Sequence, residues 1–120
     1  MWQVDPTLDL LTKAVDVAAL RQAVHAANVA NADVPGYQPL EVRFAPETSE
    51  GGAAEFSSAQ RLEAAAGQRP EVAASAQEKV HLDEEMAQMA QNALRYQALL
   101  GAFERTVGLL RYAAREGKEG

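Results

Sequence analysis

The stretch N-V-A-N-A-D-V-P-G-Y, Asn28 to Tyr37, decides how this chain folds. It closes an alanine-rich amphipathic run abruptly. Asn31 and Asp33 favour turns over helix interiors, because their short polar side chains compete for backbone hydrogen bonds. Pro35 pushes Val34 out of the helical region. Gly36 supplies the positive φ that a turn after proline needs. By itself this is a helix stop, of a sort that many soluble proteins contain.

Upstream, the spacing predicts a helix from about Pro6 to Asn31. Asp5 is a suitable N-cap and Pro6 suits the first helical position. Leu10, Val17, Leu20, Val24 and Ala27 recur at helical spacing with Ala14 beside them, while Lys13, Asp16, Arg21 and Gln22 fall off the stripe. Such a stripe is one buried face of a helix roughly 39 Å long.

A longer helix is expected from about Glu84 to Glu116. Asp83 is the expected cap, Glu84 and Glu85 suit the positive end of the dipole, and Arg111 and Arg115 the negative end. Gly117 is the expected stop. Leu82, Met86, Met89, Ala93, Tyr96, Leu100, Phe103, Val107, Leu110 and Ala114 alternate in steps of four and three, a heptad seam sustained along the helix. Leu94, Ala98, Leu99, Ala102, Leu109 and Tyr112 lie off it. A two-stranded coil needs one seam, so the extra apolar faces imply more than one neighbour. Most such seams are the buried stripe of a helical hairpin; sequence alone does not separate that from an oligomer seam.

Between the helices, Tyr37 to Phe44 alternates loosely and reads as a short extended arm, with Leu40, Val42 and Phe44 on one side. Pro39 marks it as an edge or irregular strand. From Ala45 to Lys79, Phe56, Leu62 and Val72 are the only large apolar residues. That cannot offset the entropy of ordering the chain, so disorder is expected, with a helical turn or two over Gln60 to Ala66. The expected architecture is mainly α. Two long amphipathic terminal helices pair as an antiparallel coiled coil, joined by an irregular, extended and partly disordered central segment. The 120 residues form one domain, divided as 1–31, 32–44, 45–80 and 81–117.

Composition narrows the function. A net charge of −6 and a pI near 4.9 make nucleic acid an unsuitable partner. There is no cysteine for disulfide or thiolate chemistry. No apolar run approaches the roughly 20 residues that span a bilayer. Met1-Trp2-Gln3-Val4-Asp5 has no basic region ahead of an apolar stretch, so no Sec-type signal is expected.

Chemistry is equally sparse. His81 stands near Asp83, Glu84 and Glu85, but those acids occupy cap and first-turn positions, so a solvated helix start outweighs a metal site. His25 has no second titratable group at useful spacing and reads as a surface or interface residue. No nucleophile elbow, phosphate loop, zinc-protease or dinucleotide motif appears. Met86 and Met89 read as core. No catalytic residue, metal or cofactor is expected.

Two stretches carry a family resemblance: A-N-V-A-N-A-D-V-P-G-Y, closing the first helix, and L-D-E-E-M-A-Q-M-A-Q-N-A-L-R-Y-Q-A-L-L, from Leu82 to Leu100. Together they resemble the bacterial flagellar rod and hook axial proteins. The Ala93–Leu99 run and the short length point to the proximal rod branch of that family. The resemblance covers roughly the first 44 and last 40 residues, and departs at Val34, where threonine is usual, and at Ala27, where a further asparagine is common. It implies a structural subunit of the proximal rod of the flagellar basal body, stacking helically into a torque-transmitting drive shaft in the periplasm. It implies export by the flagellar type III apparatus without signal cleavage. The implied partners are other rod subunits, the rod-to-ring adaptor FliE and the membrane-ring protein FliF. Assembly is then expected to rest on both helical stripes, on Asn28, Asn31, Pro35, Gly36 and Tyr37 of the turn, and on the off-seam Leu94 and Leu109. Two rivals are a type III secretion chaperone or needle-type subunit, which would not need this turn and arm, and a small metal enzyme using His25 and His81.

Overall fold

The computed structural model describes residues 5–44 and 69–119. The element order is α1 (Pro6–Ala30), β1 (Leu40–Phe44), β2 (Pro70–Ala74) and α2 (Leu82–Glu119). Asp5 caps α1 as its sequence suggests. One carboxylate oxygen accepts the N–H groups of Thr7 and Leu8 at 2.8 and 3.2 Å, satisfying two of the donors a helix start leaves open. At the other end Asn31 is the C-cap. Its backbone N–H and its Nδ2 both donate to the Ala27 carbonyl, at 3.1 and 2.8 Å.

The helices pair antiparallel. Asn28 near the end of α1 meets Glu85 near the start of α2, whereas Ala18 further back meets Asn92 further on. The expected antiparallel pairing of two terminal helices is therefore the observed one. The buried set differs from the expected stripe. Ala18, Val24 and Asn28 are buried on α1, with Leu10, Val17, Leu20 and Ala27 only half-buried beside them. On α2 the buried residues are Glu85 and Asn92, with Met89, Tyr96, Leu100, Phe103 and Val107 half-buried in phase with them.

The seam needs correcting at both ends. Leu82 and Met86 are exposed, and Glu85 takes the place facing α1. A strict seven-residue stripe drifts by about 20° per heptad around a straight helix. That carries Met86 off the partner side, while Leu82 lies level with the end of α1, beyond its cover. At the far end Leu110 is exposed because α1 begins at Pro6 and leaves the last turns of α2 uncovered. Leu100 is half-buried, so Leu100→Ala is expected to cost about 2 kcal/mol, the low end of the range for a buried leucine. Urea unfolding of the variant measures it.

The bounds of α2 also move. It starts at Leu82, with the Glu85 N–H donating to the His81 carbonyl at 2.9 Å, so Asp83 lies in the first turn and is not the cap. It continues through Gly117 to Glu119. A helical glycine costs about 1 kcal/mol relative to alanine, too little to end a run of good helix formers.

The arm is β1, as its alternation suggests. Its partner corrects the expectation of disorder as far as Lys79. Pro70–Ala74 forms β2, antiparallel to β1, with Leu40 opposite Ala74, Val42 opposite Val72 and Phe44 opposite Pro70. Ser75 N–H extends the ladder to the Pro39 carbonyl at 2.8 Å. Proline has no N–H to return, and Gln38 Nε2 donates to the Ser75 carbonyl instead, at 2.9 Å. Pro70 sits at the end of an exposed strand, where its missing donor is harmless. The disorder expected over 45–68 and the turns expected near Gln60 lie outside the described residues.

Candidate assembly site

Where α1, the turn, β1 and the start of α2 converge, the chain builds a polar clasp on Asn28. This side chain is 1% exposed and makes the four hydrogen bonds that an amide can make. Its Nδ2 donates to the Leu40 carbonyl at 2.8 Å and to Glu85 Oε1 at 2.7 Å. Its Oδ1 accepts from the Leu40 N–H at 2.9 Å and from the Tyr37 hydroxyl at 2.8 Å. Asn28 thus pairs both backbone groups of Leu40 as a neighbouring strand would. That sets the angle at which the arm leaves the helix.

The turn delivers these groups. Tyr37 N–H donates to the Val34 carbonyl at 3.2 Å, closing a four-residue turn with Pro35 second and Gly36 third. Gly36 has φ +77°, the sign that a type II turn needs at its third position. A Cβ there meets nothing within 4 Å, so Gly36→Ala tests backbone strain alone. It is expected to lower stability by about 1–2 kcal/mol. Thermal unfolding with the clasp monitored through Tyr37 would measure it.

His25 joins the clasp, which corrects its reading as a residue without a titratable neighbour. His25 Nδ1 lies 2.7 Å from Glu85 Oε1, the oxygen that also accepts from Asn28. Glu85 is buried and does more than complement the helix dipole. The pairing joins residues 60 positions apart, beyond any local pattern. One turn further along, Arg21 lies over the Phe44 ring at 5.7 Å, fastening the far end of β1 to α1. Gln22 also turns inward, accepting from Asn92 Nδ2 at 2.9 Å. Neither Arg21 nor Gln22 therefore belongs to a purely solvated face.

Beside the clasp is a cleft of about 250 Å³, lined by Val24, His25, Val42, Ser75 and Glu85 among others. Its side chains do not form a nucleophilic set. Among the described residues Ser75 Oγ is bonded to the Gln77 N–H and makes no hydrogen bond to His25, so the nucleophile–base contact is missing. No group of three or more His, Cys, Asp or Glu side chains suited to a metal lies among the described residues. Nor is any helix among them long and apolar enough to cross a membrane.

The sequence-predicted residues fall into two sets. Asn28, Asn31, Pro35, Gly36 and Tyr37 build the clasp and its turn, while Val24, Met89, Tyr96, Leu100, Phe103 and Val107 line the helix pair with Leu10, Val17 and Leu20. Met86, Leu94, Leu109 and Leu110 are exposed instead, Leu94 at 69% and Leu109 at 70%. Helical phase sets Leu94 and Tyr112 on the side of α2 opposite Glu85 and Asn92. Sequence reading missed Glu85, Asn92 and Gln38 as structural residues. One signal was available: Glu85 and Asn92 are seven apart, so they share a heptad position.

The sequence itself is similar to known proteins. The flagella basal body rod protein family matches residues 9–38, nearly all of α1 and the turn that follows it as far as Gln38. The chain is 32% identical to flagellar basal body rod protein FlgB of Salmonella typhimurium, over 79% of its own length and 83% of that protein's. It is 47% identical over 45 residues to the FlgB proteins of Escherichia coli and Shigella flexneri, a match spanning 38% of this chain and 33% of each relative.

Proposed function

We infer, from the fact that the chain belongs to the flagellar basal body rod protein FlgB family, that it is a structural subunit of the proximal rod of the bacterial flagellum. Its work is assembly with other basal-body components. The alternative of a secretion chaperone or needle-type subunit has no support among the relatives. The observation that carries this reading from the chain itself is the pairing of a rigid clasp with large exposed apolar side chains on α2. Scattered single hydrophobics are ordinary on a surface, but several on one long helix mark a surface used for association.

The finer points follow the family. The subunit acts without catalysis. It is exported through the flagellar type III apparatus without signal cleavage and takes its place in the periplasmic rod. Its neighbours there are other rod subunits, the adaptor FliE and the ring protein FliF. The net charge of −6 keeps the free subunit soluble while its apolar faces await partners. Deleting the gene from its host should abolish motility, and an epitope-tagged copy should restore motility and co-purify with basal bodies. A motile deletion strain with intact rods would overturn the reading.

A further inference from the structure

We propose that two polar contacts, rather than the apolar seam, choose the register in which α1 and α2 pair. The first joins Glu85 to Asn28 and His25; the second joins Asn92 to the Ala18 carbonyl and Gln22. This stands on the helix pair itself and does not depend on the rod reading.

Asn92 is 4% exposed, and its Nδ2 makes both of its bonds across to α1 at 2.8 and 2.9 Å. Its Oδ1 is buried without a partner among the described residues. An unpaired buried acceptor is destabilising, and an apolar residue would fill the place better. A polar residue at a seam position specifies register at a cost in stability. Glu85 fits the same description: a buried carboxylate seven residues earlier, held by two α1 side chains.

The apolar pattern does not make this choice. The α2 seam continues to Leu110, beyond the cover of α1. A slide of one heptad would bring Leu110 to the level of Leu10 and Tyr96 to the level of Val24. Apolar residues would still meet apolar residues, and one more leucine would be covered. That slide carries Glu85 past the end of α1 and separates Asn92 from Gln22. The register matters because it fixes how far α2 projects beyond α1, and so where Leu109 and Tyr112 are presented.

The chain has no cysteine, so disulfide trapping reads the register directly. Two heptads along from the Asn28–Glu85 contact, Ala14 stands opposite Leu99; after the slide it stands opposite Thr106. With the polar contacts intact, the full chain carrying Ala14→Cys and Leu99→Cys should cross-link, and Ala14→Cys with Thr106→Cys should not. In a Glu85→Leu, Asn92→Ala background that keeps its helical circular dichroism, the 14–106 product should rise to about the yield of the 14–99 product, because the seam alone accepts both registers. Glu85→Leu alone should give an intermediate yield. If the double variant stays helical and closes only the 14–99 pair, the proposal is overturned. Loss of helix content in that variant overturns it as well, since the seam would then be unable to hold the helices together.

Discussion

Asn28→Ala is expected to lower the unfolding free energy by about 3–5 kcal/mol, the largest effect of any single change at the clasp. The substitution removes a side chain small enough that packing alone would predict much less. The cost arises from what it leaves behind. Leu40 loses the partner for its N–H and for its carbonyl, Tyr37 loses the acceptor of its hydroxyl, and Glu85 keeps a buried carboxylate oxygen with His25 alone. Each orphaned buried group costs roughly 1–3 kcal/mol, and these lie in one network, so the terms are not independent. Domains of this size have about 5–15 kcal/mol in total, so the variant should be partly unfolded near body temperature. Tyr37→Phe supplies the comparison. It removes one hydroxyl, Asn28 Oδ1 keeps the Leu40 N–H, and the expected loss is about 1 kcal/mol. Chemical denaturation of both variants tests the argument; equal losses would show that Asn28 is not the centre of the network.

Leu94→Glu and Leu109→Glu are expected to abolish motility while leaving the subunit folded. Both leucines project into solvent in the isolated chain, so a glutamate at either position stays hydrated there. The change in stability should fall within about 0.5 kcal/mol. At a contact between subunits the same carboxylate would be buried without a partner, which costs several kcal/mol, enough to reduce association by orders of magnitude. Unchanged circular dichroism and thermal midpoint, together with loss of swimming and of complete rods, is the expected pattern. The two positions lie on the same broad side of α2 but roughly 22 Å apart along it, so a strain disabled by only one of them identifies which level of the helix carries the contact. Full motility with both substitutions present would show that neither level is used.

Much of the architecture was legible because its signals are local. Asp5 before Pro6 marks a helix start through hydrogen bonds spanning two or three residues. Pro35 and Gly36 mark the turn because their own backbone preferences dictate it. Apolar spacing marks both helices, and alternation marks β1. The two motifs at the ends of the chain also sufficed for the family. None of these inferences needed knowledge of what lies across the fold.

What only the tertiary structure decided is which partner each polar residue meets. β2 carries one large apolar residue, Val72, and owes its form to β1 and to the amide of Gln38. Asn28 looks like a helix-end residue, and the same sequence would suit a solvent-facing cap; its burial follows from Leu40, Tyr37 and Glu85 closing round it. Glu85 reads as a first-turn acid because local patterning records charge near a helix end and not the histidine that arrives from the other helix. Asn92 is hidden for the same reason, its two acceptors lying 70 and 74 residues away. Local propensity acts through the backbone and its nearest neighbours. Pairing across the chain appears only when the helices pack and water is excluded between them, and at that point an amide or a carboxylate must find its partner or destabilise the fold.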